Sequence, residues 1–252
     1  MPQKRYSHSA NLLDGKLYIF GGVHRTGSGQ SAFHSFYECQ LNLESCKEDL
    51  FKWKKIIVEA PKNRDSHSCV GFLDQLLIFG GSCNDKSFND LYKYNITAKM
   101  WQKLDPIFDE GAQPCPREGH IAVMVDDDKM LVHGGINEKD QVFDDAFVLV
   151  GLHQEIDIVQ SEIKYDCKSK ILNVLELKQR RGKFEMLRWF KCEQEGSIPN
   201  ARDSHSATVY NKRVFVFGGQ DRNELLMDDF YIADLVQGQR TDLLDLKELG
   251  RV

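Results

Sequence analysis

The sequence holds no run of about 18 apolar residues, so neither a membrane-crossing helix nor a membrane partner is expected. Met1 to Ser9 is polar and lacks the apolar stretch of a secretory signal. Seven cysteines are present (Cys39, Cys46, Cys69, Cys83, Cys115, Cys167 and Cys192), and no two form a C-x-x-C pair. That excludes a zinc ribbon and a dithiol redox motif. Reduced thiols and a cytoplasmic location follow as expectations, with the nucleus as the alternative. Excess positive charge is also missing: the formal net charge is −5, so no nucleic-acid partner is expected. No Gly-x-Ser-x-Gly, P-loop or Gly-x-Gly-x-x-Gly element occurs, which leaves no catalytic residue, cofactor or metal to assign. With 41% hydrophobic and 28% charged residues, the composition is that of an ordinary globular domain.

What the sequence does have is a repeat. Arg5-x-x-His8, Arg64-x-x-His67, Arg117-x-x-His120 and Arg202-x-x-His205 share one spacing. Each is followed by a glycine pair: Gly21-Gly22, Gly80-Gly81, Gly134-Gly135 and Gly218-Gly219. The offset from histidine to first glycine is 13, 13, 14 and 13, and the longer one holds the acidic turn Asp126-Asp127-Asp128, which has room for an extra residue. Between histidine and glycines, two apolar runs flank a short polar turn, as in Ala10–Leu13, Asp14-Gly15 and Leu17–Phe20. That is the pattern of a β-hairpin. The second run has little polar alternation, so burial on both faces is expected. A third run follows a small polar pair (Asn89-Asp90, Asp144-Asp145, Asp228-Asp229, with His34-Ser35 as the first counterpart). Trp53, Trp101 and Trp189 then open a fourth run. Four strands per unit make the blade of a propeller.

These residues resemble the kelch-repeat family over nearly the whole chain. The resemblance implies an all-β, kelch-type β-propeller with four recognisable four-stranded blades, radially arranged, and a role in binding proteins. It also brings an alternative, because some kelch-like propellers are enzymes, such as a sugar mutarotase. For the recurring arginines and histidines a structural role is expected: the guanidinium ties carbonyls of the adjoining blade and the imidazole bridges backbone groups. The Asn/Asp pairs read as turn and cap chemistry. A zinc site is not expected, since repeats set apart around a ring cannot bring nitrogens to about 2.0–2.1 Å from one ion.

The second glycines of successive pairs are spaced by 59, 54 and 84 residues. Blades are therefore expected at about 1–58, 59–110, 111–195 and 196–252, the third carrying an insertion at about 152–188. A degenerate blade is the other reading of that stretch, but neither Arg-x-x-His nor Gly-Gly survives there. Its basic cluster, Lys178 to Lys183, reads as a solvated turn. The fourth unit has no tryptophan, and Arg240–Leu249 supplies either a substitute strand or a short helix. Kelch resemblance implies six or seven blades more often than four, so an open or incomplete ring, and with it self-association, is a further expectation. The loops after the glycine pairs vary most, and loops on a rigid scaffold carry function. His24, Arg25, Asn84, Lys86, Asn137, Glu138, Asp221 and Arg222 are the candidate partner-binding residues. The first of these loops, rich in Gly and Ser, is expected to be mobile.

Overall fold

The computed structural model describes residues 1–26, 29–41, 51–152, 187–236 and 243–251. Its architecture is all-β. Blade 1 contains β1 (Ser9–Leu13), β2 (Lys16–Phe20), a side hairpin of β3 (Val23–Thr26) and β4 (Gly29–Ala32), then β5 (Phe36–Leu41) and β6 (Phe51–Ile56). Blade 2 contains β7 (Ser68–Phe72), β8 (Gln75–Phe79), the side hairpin β9 (Ser82–Cys83) and β10 (Lys86–Ser87), β11 (Leu91–Asn95) and β12 (Met100–Leu104). Blade 3 contains β13 (Ile121–Asp126), β14 (Lys129–His133), β15 (Ala146–Val150) and β16 (Arg188–Lys191). The last sheet holds β17 (Glu193–Gly196), β18 (Ser206–Tyr210), β19 (Arg213–Phe217), β20 (Asp229–Val236) and β21 (Leu243–Arg251). Three blades are antiparallel meanders of four strands, and the fourth sheet runs β17-β21-β20-β19-β18.

The inner hairpins close with two-residue turns whose φ values are set by the sequence. Asp14 and Gly15 have φ 48° and 68°, and Asn211 and Lys212 have 50° and 61°. Two left-handed residues in succession match the twist of the flanking strands, and Asp, Asn and Gly tolerate that conformation best. The extra residue of the third repeat is not in its turn. It is absorbed as a register shift between Met124 and Asp126, a bulge in β13.

At its C-terminal margin the fourth blade takes one of the two expected forms, and at its N-terminal margin it gains a strand. Its C-terminal stretch is a strand, β21, and not a helix, and it pairs with β20 along its length. Residues 193–196, which straddle the expected boundary between the third and fourth blades, form β17 and pair in parallel with β21 as a fifth strand. In blade 3, β15 and β16 pair directly although Val150 and Arg188 are far apart in sequence. The expected insertion between them, and the basic cluster within it, lie outside the described residues apart from the flanking Leu152, Leu187 and Arg188.

The core is three inter-blade layers. Tyr18, Phe20, Phe36, Leu76, Ile78 and Tyr94 fill the gap between blades 1 and 2. Phe79, Leu91, Met130, Val132, Phe147 and Trp189 belong to the layer between blades 2 and 3. Val148, Val150, Val214, Val216 and Tyr231 belong to that between blades 3 and 4. Burial of the second strand on both faces therefore holds for β8, which is buried at every residue, and for β14 beyond its first residue. In β2 and β19 burial alternates, because each has a neighbouring blade on one side only.

Candidate functional site

Each repeat motif sits where one blade meets the next. Arg64, Arg117 and Arg202 are fully buried. Each donates to the first glycine carbonyl of its own blade, at 2.9 Å in all three cases. Each also grips a carboxylate of its own blade with both terminal nitrogens: Arg64 with Asp90, Arg117 with Asp145, Arg202 with Asp229. The expectation of a guanidinium reaching the adjoining blade is thereby corrected, and the aspartates that read as caps are ion-pair partners. Aromatic rings cover the guanidinium, as with Phe143 at 4.3 Å and Phe147 at 5.3 Å from Arg117. Arg202 holds the Asp229 carboxyl below the usual aspartate range.

It is the histidine that crosses between blades. His67 Nε2 meets Ser9 Oγ of blade 1 at 2.9 Å, and His120 Nε2 meets Ser68 Oγ of blade 2 at 2.8 Å. In blade 3 an isoleucine, Ile121, follows the motif where blades 1 and 2 have serine, and His205 Nε2 bonds His133 Nδ1 at 3.2 Å instead. Burial, reinforced by the neighbouring arginines, pushes the His67 and His120 pKa values down to about 3. These rings are therefore neutral and structural.

The glycine pairs are required by the same junction. A Cβ on Gly80 would lie 2.7 Å from Arg117 O and 2.8 Å from His120 Cε1, both of blade 3. The bare backbone lets the next blade's motif lie directly against it.

Beyond this frame lies the loop face, where the segments after the glycines emerge. The residue after each motif arginine pairs with the residue after the glycine pair: Tyr6 with Val23, Asp65 with Ser82, Glu118 with Ile136, Asp203 with Gln220. Three of these four are acidic, and Tyr6 stands in the first. Burial raises the carboxyl pKa of Asp65, Glu118 and Asp203; for Glu118 the neighbouring Asp65, Asp203 and Asp85 raise it further. Serine hydroxyls cap them, Ser66 on Asp65, Ser82 on Glu118 and Ser204 on Asp203. Sequence reasoning missed this acidic arc, although the acid at the second motif position in three repeats was the signal. Among the described residues no cluster of His, Cys, Asp or Glu is arranged to hold a metal ion.

The candidate partner-binding residues all stand on these loops. His24 and Arg25 lie on β3, which pairs with β4 where an irregular loop was expected. His24 Nδ1 contacts Lys4 O at 3.0 Å. Asn84 is exposed at the β9–β10 turn with φ 49°, and Lys86 is exposed on β10. Asn137 and Asp221 have their oxygens engaged in holding the loops. Asn137 Oδ1 accepts from the Lys139 and Gln141 amides, and Asp221 Oδ1 accepts from those of Asn223 and Leu225. Those amides hold the Asp221 carboxyl below its ordinary range. Glu138 and Arg222 project from the same two loops and are exposed.

Between the loops of blades 3 and 4 lies a cleft of ≈730 Å³. Its walls include Asp140, Val142, Asp221, Arg222, Leu225 and Leu226. Leu225 and Leu226 are 69% and 79% exposed. Of the sequence candidates, Asp221 and Arg222 are brought together here. The other six are spread over blades 1, 2 and 3.

Repeated antiparallel sheets, each locked by a buried Arg–Asp pair and joined to its neighbour by a crossing histidine, define a β-propeller of the Gly-Gly class. The chain belongs to the kelch-repeat family. The KLHDC2/KLHL20/DRC7 Kelch-repeats domain model matches residues 1–159. An F-box/kelch-repeat protein of Arabidopsis thaliana is 26% identical over 240 residues, 93% of this chain and 43% of the relative. The flagellar outer-arm dynein alpha chain of Chlamydomonas reinhardtii is 31% identical over 246 residues, 93% of this chain and 5% of that one. Kelch domain-containing protein 3 of Homo sapiens is 30% identical over 174 residues, 66% of this chain and 43% of the relative. The chain thus spans less than half the length of each.

Proposed function

We propose that the chain is a protein-interaction scaffold, an adaptor that holds a protein or peptide partner on the loop face of its blades, and not an enzyme. The cleft between the loops of blades 3 and 4 carries the reading. Leu225 stays mostly in water there while Asp221, beside it, pins the loop backbone. A pre-ordered loop with an exposed apolar side chain loses little entropy when a partner covers it. Asp140, Asp221 and Asp228 rim the cleft, so the partner segment pairs basic residues with an apolar one. Charge complementarity of that kind steers encounter, and the apolar anchor supplies affinity. A sugar mutarotase needs arginine, acid and histidine converging on a ligand. Here Arg64, Arg117 and Arg202 are sealed inside their blades. We place the scaffold in the cytoplasm, with the nucleus as alternative, in keeping with a sequence that shows no secretory signal at Met1 to Ser9.

Affinity capture with the wild-type chain, an Asp228→Lys/Leu225→Ser variant and a Lys54→Glu control, compared by quantitative mass spectrometry, tests this reading. The expected result is a partner retained by wild type and control and lost by the loop variant. Its purified form should then bind the loop variant more weakly by on the order of tenfold or more. Equal retention by all three chains would refute the loop face as the site. Accelerated anomer exchange of a sugar, followed by NMR, would favour the enzyme instead.

A further inference from the structure

Each internal blade junction is one repeated contact. The Arg64, Arg117 and Arg202 amides donate to the Phe33, Phe88 and Phe143 carbonyls of the preceding blade. The carbonyls of the same arginines accept from Gly22, Gly81 and Gly135. The amides of Ser66, Gly119 and Ser204 donate to Ser7, Ser66 and Gly119. The crossing histidine packs on the last residue of the preceding β2-type strand: His67 on Phe20 at 5.4 Å, His120 on Phe79 at 5.2 Å, His205 on His133 at 5.3 Å. A tryptophan of the outer strand joins it, Trp101 on Phe20 and Phe36 and Trp189 on Phe79.

Both halves of a fourth such junction are present and unfilled. On the outer flank of blade 1, His8 is exposed where its three counterparts are buried. On the outer flank of blade 4, Phe217 is 43% exposed in the place of Phe20 and Phe79, with Phe230 beside it. Ser206, the counterpart of Ser9 and Ser68, is exposed. A Cβ on Gly218 would meet only Met227 O, at 3.5 Å, whereas its counterparts abut the next blade. Among the described residues no backbone hydrogen bond uses the Gly219 amide or the carbonyls of Ser204 and Met227, and none uses the amide or carbonyl of Arg5 or the amide of Ser7. These are the three donor–acceptor pairs of a junction, divided between the two ends.

We propose that a second copy of this chain docks head to tail, seating its Arg5-Tyr6-Ser7-His8 segment and Trp53 on Gly218-Gly219, Phe217 and Phe230. The contact is heterologous, and made twice about a two-fold axis it closes a ring. Two sets of four blades give eight, within the range of about four to eight that propellers adopt. The closed pair also removes two open apolar sheet faces, which otherwise invite aggregation.

Sedimentation equilibrium of the full chain over a wide concentration range tests this. Two variants are monitored for folding by circular dichroism. Gly218→Ala places a methyl where the partner's Arg5 carbonyl would lie, and His8→Glu alters the opposite flank. The expected result is a species of twice the chain mass, with dissociation raised on the order of tenfold or more by either variant. A Met100→Ser control on the outer edge of blade 2 should leave it unchanged. A monomer at every concentration overturns the proposal and leaves the flanks to other kelch blades. A dimer indifferent to both variants overturns it by placing the interface elsewhere, and a ladder of longer species overturns the closed pair.

Discussion

Arg5 is the one motif arginine without a carboxylate, and the difference traces to a single position. Where blades 2 to 4 carry Asp90, Asp145 and Asp229, blade 1 carries Ser35, whose hydroxyl takes one contact from Arg5 Nη1 at 3.1 Å. Among the described residues Arg5 Nη2 is buried with no hydrogen-bond partner. An unpaired polar atom costs about 1–3 kcal/mol, so Ser35→Asp should stabilise the chain by about 1 kcal/mol and raise its thermal midpoint by a few degrees. A lowered midpoint would show that the guanidinium is already satisfied. The converse applies in blade 3. Arg117→Ala strips the partner from Asp145 and empties a fully buried site. Breaking a buried pair from one side costs about 3–5 kcal/mol, which denaturant unfolding would register as a large drop in midpoint. Arg5→Ala should cost much less, because no carboxylate is left behind. Arginine and aspartate were both visible in the sequence as recurring residues. Their partnership was not, because 26 to 28 positions separate them and only the folded meander brings the start of the third strand back to the motif.

At the level of strands and turns, hydrophobic runs and glycine pairs located every inner hairpin, since turn chemistry and burial are local properties. The bulge in β13, the side hairpin β3–β4 and the parallel strand β17 were not legible. A bulge shows in sequence only as an extra residue, which fits a turn equally well. β17 is polar and short, and its pairing with β21 is fixed by a contact 50 residues away in sequence. The glycine pairs were read as permitting close approach, and the structure makes that quantitative. Gly80→Ala sets a methyl against Arg117 O and the His120 ring and also strains a φ of 63°. Neither atom belongs to a flexible chain end, so a loss of several kcal/mol or failure to fold is expected. In the isolated chain Gly218→Ala carries only the cost of φ 69°, about 1 kcal/mol. Thermal unfolding of the two variants at low concentration compares them directly. Equal losses would mean that the outer flank of blade 4 is covered within the chain itself.

Over the whole molecule, the four blades were countable from the sequence because each has its own motif, and an open ring was expected from that count, whereas the residues left unfilled on its two flanks emerge only from comparing equivalent residues in three dimensions. The same comparison predicts a pH response. His67, His120, His133 and His205 are buried, and each has its pKa held well below the ordinary 6.5, at about 3 for His67 and His120 and about 4 for His133. The cause is loss of hydration, with Arg64, Arg117 and Arg202 adding repulsion. Between those values and 6.5 the unfolded chain takes up protons that the folded chain refuses. Stability is therefore full above about pH 7 and falls as pH is lowered, by at most about 1.4 kcal/mol per pH unit for each histidine. Asp65, Glu118 and Asp203 act in the opposite sense, since their raised pKa values favour the folded state on protonation. That opposing contribution grows toward the carboxylate range, so the histidine effect is read most directly just below pH 6.5. Denaturant midpoints measured there should decline steadily, and His120→Gln should make the decline shallower even if the variant is less stable at neutral pH. A stability that stays level from pH 7 to about 5 would mean that these rings are already charged or hydrated in the fold, and the crossing contacts would then need another donor.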